Sequence, residues 1–337
     1  MAAKGKSHIF KSCWPKKNKI ELGEEEAGKR DLSNWMKDLS PGLKNTPLCQ
    51  LAIPGSHNSF TYSIRKDTPV GPDEPEWMHK VAKLFGKLGK TVLYRWAKCQ
   101  KTPCLDQLSL GIRYFDIRLS PYPSTGENIS KTKQLCILHG LFGEDILKIL
   151  ADINTFLEQH EEEVVLLDFQ HLYSFSQEDH SLLIDNLAKI FGEKLCPMTK
   201  DISSLTVNTM HKNGYKVIVV YPSKAGETEF LWPRQFCPNP WPNTMQLDEL
   251  NTFLNDGLAK RDKKCFYVSQ AILTPNLKTV LGHLWSSLEK AVAIPCDNYT
   301  RKWIETKRTK ALMPNIIMVD FASTYDQIPE LVISLNE

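Results

Sequence analysis

Short, nearly continuous apolar runs recur along the chain at 51–54, 114–119, 135–138, 164–168, 216–221, 266–269 and 316–321. Runs of this length without polar alternation are how strands buried on both faces read. Between several of them, at 145–160, 178–192, 246–260 and 277–292, apolar residues recur at helical spacing. Strands alternating with helices predict an α/β fold with a parallel sheet. Seven strand candidates over roughly 300 residues fit a distorted (β/α) TIM barrel in a single domain. Residues 1–30 are polar and are expected to form a flexible tail, with the barrel over 31–337. The Pro- and Trp-rich stretch 231–242 is expected to be a rim loop. Its Trp232 and Trp241 are candidates for touching lipid, because Trp favours membrane interfaces, and equally for anchoring the loop to the barrel.

One helical pattern differs in kind. In 77–105, Val81, Leu84, Phe85, Leu88, Val92 and Trp96 share one face, and Lys80, Lys83, Lys87 and Lys90 lie opposite. The segment holds seven basic residues and no acid, and residues 1–20 hold six lysines and no acid. Against a net charge of +3, these two segments leave the remainder at −10. Such asymmetry marks attraction to an anionic surface. A core-packed helix with a solvated lysine face and a basic amphipathic helix at a membrane both fit. Gly86 and Gly89 weaken the helix itself.

The composition, 42% hydrophobic and 24% charged, is that of a globular chain and excludes collagen, coiled coil and wholesale disorder. No apolar run reaches the ~18–20 residues of a membrane span. The N-terminus lacks a signal peptide's apolar core and the glycine of a myristoylation site. Nine scattered cysteines without a CxxC pair fit reduced thiols. The expectation is a cytoplasmic protein, peripheral at membranes, whose sequons at Asn128 and Asn298 are chance.

Polar residues cluster where the strand candidates end. The first ends in Ser56-His57-Asn58-Ser59, the second carries Asp116 and Arg118, the third ends in His139-Gly140, the fourth in Asp168 and the last in Asp320. In a (β/α) barrel those ends form the active-site face. Two histidines suit a base–acid pair, since imidazole titrates near neutral pH. An arginine offers a planar fork of donors to a phosphate, and a carboxylate can fix a histidine's tautomer. Together they suit in-line attack on a phosphodiester. Tyr221, Ser269 and Gln270, at later strand ends, are weaker candidates for substrate contact.

The segments Leu51–Ser59, Gly111–Arg118, Leu138–Gly140 and Val164–Asp168 resemble the X domain of phosphatidylinositol-specific phospholipases C, closest to the small X-domain-only members. The resemblance covers about residues 45–325. It implies a distorted TIM barrel that cleaves phosphatidylinositol in membranes to diacylglycerol and inositol phosphate through a cyclic phosphodiester, a lipid-degrading and signalling reaction. It implies His57 as general base, His139 as general acid, Arg118 on the phosphate, Asp320 paired with the base, and Asp116 beside the arginine. Asn58 stands where the bacterial enzymes have Asp, and Asp168 matches a calcium-ligand position of the eukaryotic enzymes. If Ca²⁺ is used, Asn58, Asp116 and Asp168 are the oxygen ligands on offer. Arg118 occupies a position where the calcium enzymes place an acid, so no cofactor is expected. Neither nucleic acid nor an obligate protein partner is expected. The competing readings are a glycerophosphodiester phosphodiesterase on the same barrel and a non-catalytic lipid-binding module.

Overall fold

The structure is a computed structural model that describes residues 31–123, 133–222, 228–309, 312–323 and 327–337. The expected tail over 1–30 and the Asn128 sequon lie outside them. The strands are β1 (Ile53–Ser56), β2 (Tyr114–Pro121), β3 (Leu135–His139), β4 (Leu141–Asp145), β5 (Val165–Leu172), β6 (Val217–Tyr221), β7 (Leu231–Pro233), β8 (Val268–Gln270) and β9 (Ile316–Val319). The helices are α1 (Pro41–Lys44), α2 (Glu76–Ala97), α3 (Cys104–Ser109), α4 (Ile146–Gln159), α5 (Gln177–Phe191), α6 (Val207–Lys212), α7 (Leu247–Lys260), α8 (Leu277–Gly282), α9 (Ile294–Glu305) and α10 (Ile328–Ile333).

The strands pair in the order β7-β6-β5-β2-β1-β9-β8, all parallel, and β3 and β4 extend β2 as an antiparallel pair. This is the curled sheet of a distorted (β/α) barrel. Side chains alternate across it with the strand period of two. Ile53, Tyr114, Leu166, Val220, Val268 and Met318 fill the interior. Phe115, Ile117, Leu167, Val219, Ile317 and Val319 face the helices.

Two expectations need correction. The 231–242 stretch is more than a rim loop: its first three residues form β7. Farther along, Phe266 N donates to Phe236 O and Val268 N to Pro238 O, both at 3.0 Å, linking the chain after β7 to the start of β8. The helix expected over 277–292 stops at Gly282 and resumes as a π turn at Glu289–Ala293 that runs into α9.

The basic segment forms α2, and its two halves differ. Gly86, with φ +51°, interrupts the helix, a conformation glycine adopts at little cost. C-terminal to it, Leu93, Trp96 and Ala97 are buried. Around it, Leu84, Phe85 and Leu88 are 79%, 56% and 53% exposed. Among the described stripe residues, those after Leu88 pack on the core and Leu84, Phe85 and Leu88 do not.

Below the barrel, Arg113 and Glu163 form an ion pair at 2.8 Å with both side chains fully buried. Arg113 also donates to the carbonyls of Ser33, Leu108 and Ile112, and Glu163 accepts from Met36 N and Lys37 N. The pair ties the 32–37 turn to the base of β2 and β5. Removing one partner leaves a buried charge unpaired. Glu163→Ala is expected to cost about 3–5 kcal/mol, read as a lower midpoint in urea unfolding.

Candidate active site

The site starts with strand register. β1 lies between β2 and β9, with Ser56 opposite Phe115 on one side and Val319 on the other. His57 N donates to Val319 O at 2.9 Å, so the residues just past both strands sit side by side. His57 Nδ1–H donates to Asp320 Oδ1 at 2.7 Å. That bond fixes the tautomer and leaves a lone pair on Nε2. Asn58 Nδ2 donates to this Nε2 at 3.1 Å, and Arg118 NH2 does so at 3.3 Å.

Asn58 takes φ +43°, a left-handed turn that Asn tolerates. Its backbone N–H donates to Asp116 Oδ2 at 2.9 Å. Asp116 is 1% exposed. Burial pushes its carboxyl up, but Arg118, 3.5 Å away, and His57 hold it below the ordinary range. The β2–β5 register shifts between Ile117 and Arg118. Such a bulge re-aims a side chain, and Arg118 reaches both His57 Nε2 and Asp116.

His139 ends β3. Its Nδ1–H donates to Ala97 O, the last carbonyl of α2, at 2.6 Å. Asn58 Nδ2 reaches its Nε2 at 3.3 Å. The two imidazole rings are 6.5 Å apart, centre to centre, and nearly perpendicular. Burial and then Arg118 lower the His139 pKa, while Asp73 opposes them. The six residues His57, Asn58, Asp116, Arg118, His139 and Asp320 therefore meet at one mouth of the barrel.

The other candidates part company. Asp168 lies on the same interior face as Asp116, directly across the β2–β5 pair. It accepts from Tyr114 Oη and Gln170 Nε2, each at 2.6 Å, and burial raises its pKa to about 7. Gln270 also faces the interior and donates to Asn239 Oδ1 at 2.7 Å. Tyr221 and Ser269 do not join the site. Tyr221 packs with the residues that face the helices, and its hydroxyl pairs with His180 Nδ1 on α5 at 2.8 Å. Ser269 pairs in register with Ile317, which faces the helices too. Strand alternation, which strand-end position alone leaves undetermined, turns both away. Trp232 is also inside, donating to Cys196 O at 3.0 Å, whereas Trp241 is 56% exposed.

The donor set fits a calcium ion poorly. Asn58 Oδ1, Asp116 Oδ1 and Asp168 Oδ1 are each buried without a hydrogen-bond partner, but the positive guanidinium of Arg118 adjoins Asp116 at 3.5 Å and would repel a second cation there. His57, Cys99 and Asp320 bring donor atoms within 4.8 Å of one another. Burial pushes the Cys99 thiol well up, however, and metals bind the thiolate.

Two supporting residues had no signal in the sequence. Gln100 Nε2 donates to His57 O and Val319 O, at 2.9 and 3.0 Å, and its Oε1 accepts from Ala322 N. It clamps the ends of β1 and β9 together. Asp73 Oδ2 accepts from Gly140 N at 2.6 Å, beside His139.

With this geometry in place, the comparisons are specific. The chain is 36% identical over 313 residues to mouse PI-PLC X domain-containing protein 3, covering 92% of this chain and 95% of that one. It is 35% identical to mouse PI-PLC X domain-containing protein 2, over 90% and 88% of the two chains. It is 29% identical to human PI-PLC X domain-containing protein 1, over 90% and 92%. Among solved structures, the fold matches a phosphatidylinositol-specific phospholipase C from Listeria monocytogenes with TM-score 0.61 at 15% identity, over 91% of this chain and all of that one. It matches one from Staphylococcus aureus with TM-score 0.60 at 17% identity, over 92% and 99%. No family model matches the chain.

The electrostatics make a direct forecast. The fixed charge of Arg118 depresses protonation of His139, so Arg118→Gln is expected to raise the His139 titration midpoint, followed by NMR of the imidazole protons. An unchanged midpoint would remove Arg118 as the cause.

Proposed function

The chain belongs to the PI-PLC X domain-containing protein family, and from that premise we propose that it is a phosphatidylinositol phospholipase C working by histidine acid–base catalysis. His57 Nε2 takes the proton of the inositol 2-hydroxyl. The resulting oxygen attacks phosphorus, and the bond from phosphorus to the glycerol oxygen breaks. His139, protonated on Nε2, gives its proton to that leaving oxygen, releasing diacylglycerol and a cyclic inositol phosphate. Water then opens the cycle with the two histidines in exchanged roles. Arg118 offsets the charge that builds on the phosphate oxygens.

The observation that carries this reading is the Asp320–His57 bond, which makes Nε2 the acceptor nitrogen and turns it to the Asn58 and Arg118 donors, where a substrate hydroxyl would take their place. A base, an acid and a fixed cation around one point are what in-line transfer needs. Metal-independent chemistry is part of the same proposal, supported by the guanidinium where a cation would have to sit. His57→Ala and His139→Ala are each expected to lower inositol phosphate release from phosphatidylinositol vesicles by about 10²–10⁴-fold, with Tm unchanged. Wild-type turnover is expected to survive EDTA. Retained activity in both variants defeats the mechanism, and loss in EDTA restored by Ca²⁺ defeats metal independence.

The substrate lies in a bilayer, so the mouth of the barrel must meet one. The chain leaves the C-terminal ends of β1 and β8, the two neighbours of β9, to enter the segments holding α2 and α8. Each presents bare apolar side chains: Leu84, Phe85 and Leu88 on α2, and Leu281 and Trp285, 57% and 81% exposed, at and just past α8. Exposed Lys83 and Lys87 stand among the former. Apolar wedges with lysines around them fit an anionic lipid surface. No described helix is long and apolar enough to cross a membrane. Replacing Phe85 and Trp285 with Ser is expected to weaken sedimentation with anionic vesicles several-fold and to leave hydrolysis of a soluble short-chain substrate unchanged. Equal vesicle binding would return these side chains to plain exposure.

A further inference from the structure

The acid half of the site poses a problem. His139 must carry a proton at working pH, yet burial and Arg118 both oppose it, and among the described residues no carboxylate is hydrogen-bonded to its ring. Its ring partners are the Ala97 carbonyl, Asn58 and the weakly engaged Cys99 thiol at 3.8 Å. The residue beside it is held by a different segment. Gly140 N donates to Asp73 Oδ2 at 2.6 Å, and Gly140 O accepts from Gly71 N at 2.9 Å. Asp73 Oδ1 is buried with no partner. Gly140 takes φ +66°, and a Cβ there would meet Leu93 at 3.0 Å, Glu74 at 3.1 Å and Ala97 at 3.2 Å. Both ends of the Gly71–Ala97 segment thus close on the His139–Gly140 corner.

We propose that Asp73 is the positioning carboxylate of the general acid, holding the His139 corner through Gly140 and, with the carbonyl end of α2, keeping the imidazole protonated in place of a directly bonded acid. The inference rests on reading His139 as the acid. A half-buried negative charge near an imidazole favours its charged form, and a helix C-terminus favours a cation in the same sense. The groups that face His139 are Arg118 from β2, His57 and Asn58 after β1, Cys99 after α2 and Asp73 before α2, with Glu74 beside Gly140. Arg118 and His57 lower its proton affinity and Asp73 raises it. Glu74 has its pKa raised to about 7 by burial and by Asp73, so it gains charge if Asp73 is neutralised and would mask the effect.

The test neutralises both. In Asp73→Asn/Glu74→Gln, the amide oxygen at 73 can still accept from Gly140 N, so the corner keeps its bond and loses its charge. Asp73→Ser/Glu74→Gln does the same with a shorter acceptor. The His139 midpoint, followed by NMR, is expected to fall by roughly one unit. The alkaline limb of kcat against pH moves down by the same amount, with KM unchanged. Asp67→Asn, an equal charge change on a side chain 77% exposed, leaves both where they were. An unchanged His139 midpoint in the folded variants overturns the proposal, whatever the activity. Failure of both to fold would make Asp73 an anchor of Gly140 alone and overturn it equally. A protein without turnover, but with a shifted midpoint, faults the functional reading and spares this one.

Discussion

The parallel pairing of β1 with β9 is the constraint on which the rest of the site depends. It brings residues 57 and 320, separated by 263 positions, to a 2.7 Å hydrogen bond. A one-residue slip in register would turn one of the two away from the barrel mouth. Backbone and side-chain bonds lock that register: His57 N to Val319 O, and the Gln100 amide across both strand ends. From the fixed tautomer of His57 follows the orientation of its Nε2, and from that the placing of Asn58 and Arg118. The site is assembled by topology, with few side chains left to choose among rotamers.

α2 links that interior to the surface. Its buried C-terminal end supplies the carbonyl that orients His139 and the side chains that leave no room for a Cβ at residue 140. Around the Gly86 break, the same helix exposes Leu84, Phe85 and Leu88. A surface that touches these residues is connected, through one helix, to His139. Lys90 adds to the coupling by donating to Thr68 O at 2.7 Å, a contact between the helix and the turn that precedes it.

Strand ends were legible in the sequence because buried parallel strands read as apolar runs, and polar residues at their C-terminal ends stand out against them. His57, Asp116, Arg118, His139 and Asp320 are visible in this way, and all five converge. Tyr221 and Ser269 look the same in the sequence, but facing depends on register with the neighbouring strand, which only the assembled sheet supplies. The stripe on α2 was equally visible, and its exposure was not: periodicity gives a face and says nothing of what covers it. Asp73 and Gln100 act across 67 and 219 positions on a backbone N–H and a carbonyl. Such bonds leave no pattern in the residues they join.

Asp116 and Asp168 show how one barrel treats two equivalent carboxylates differently. They face each other across adjacent strands, both buried. Arg118 and His57 hold the first carboxyl below the ordinary range, whereas burial raises the second, bonded by the neutral donors Tyr114 and Gln170, to about 7. A divalent cation held between them would face the guanidinium of Arg118, which adjoins Asp116 at 3.5 Å. The phosphate of a lipid asks for the opposite balance: a fixed cation, one carboxylate to orient it, and a second that need not carry charge. The two carboxylates and Arg118 are thus one arrangement, since the guanidinium beside Asp116 is what holds that carboxyl below the ordinary range.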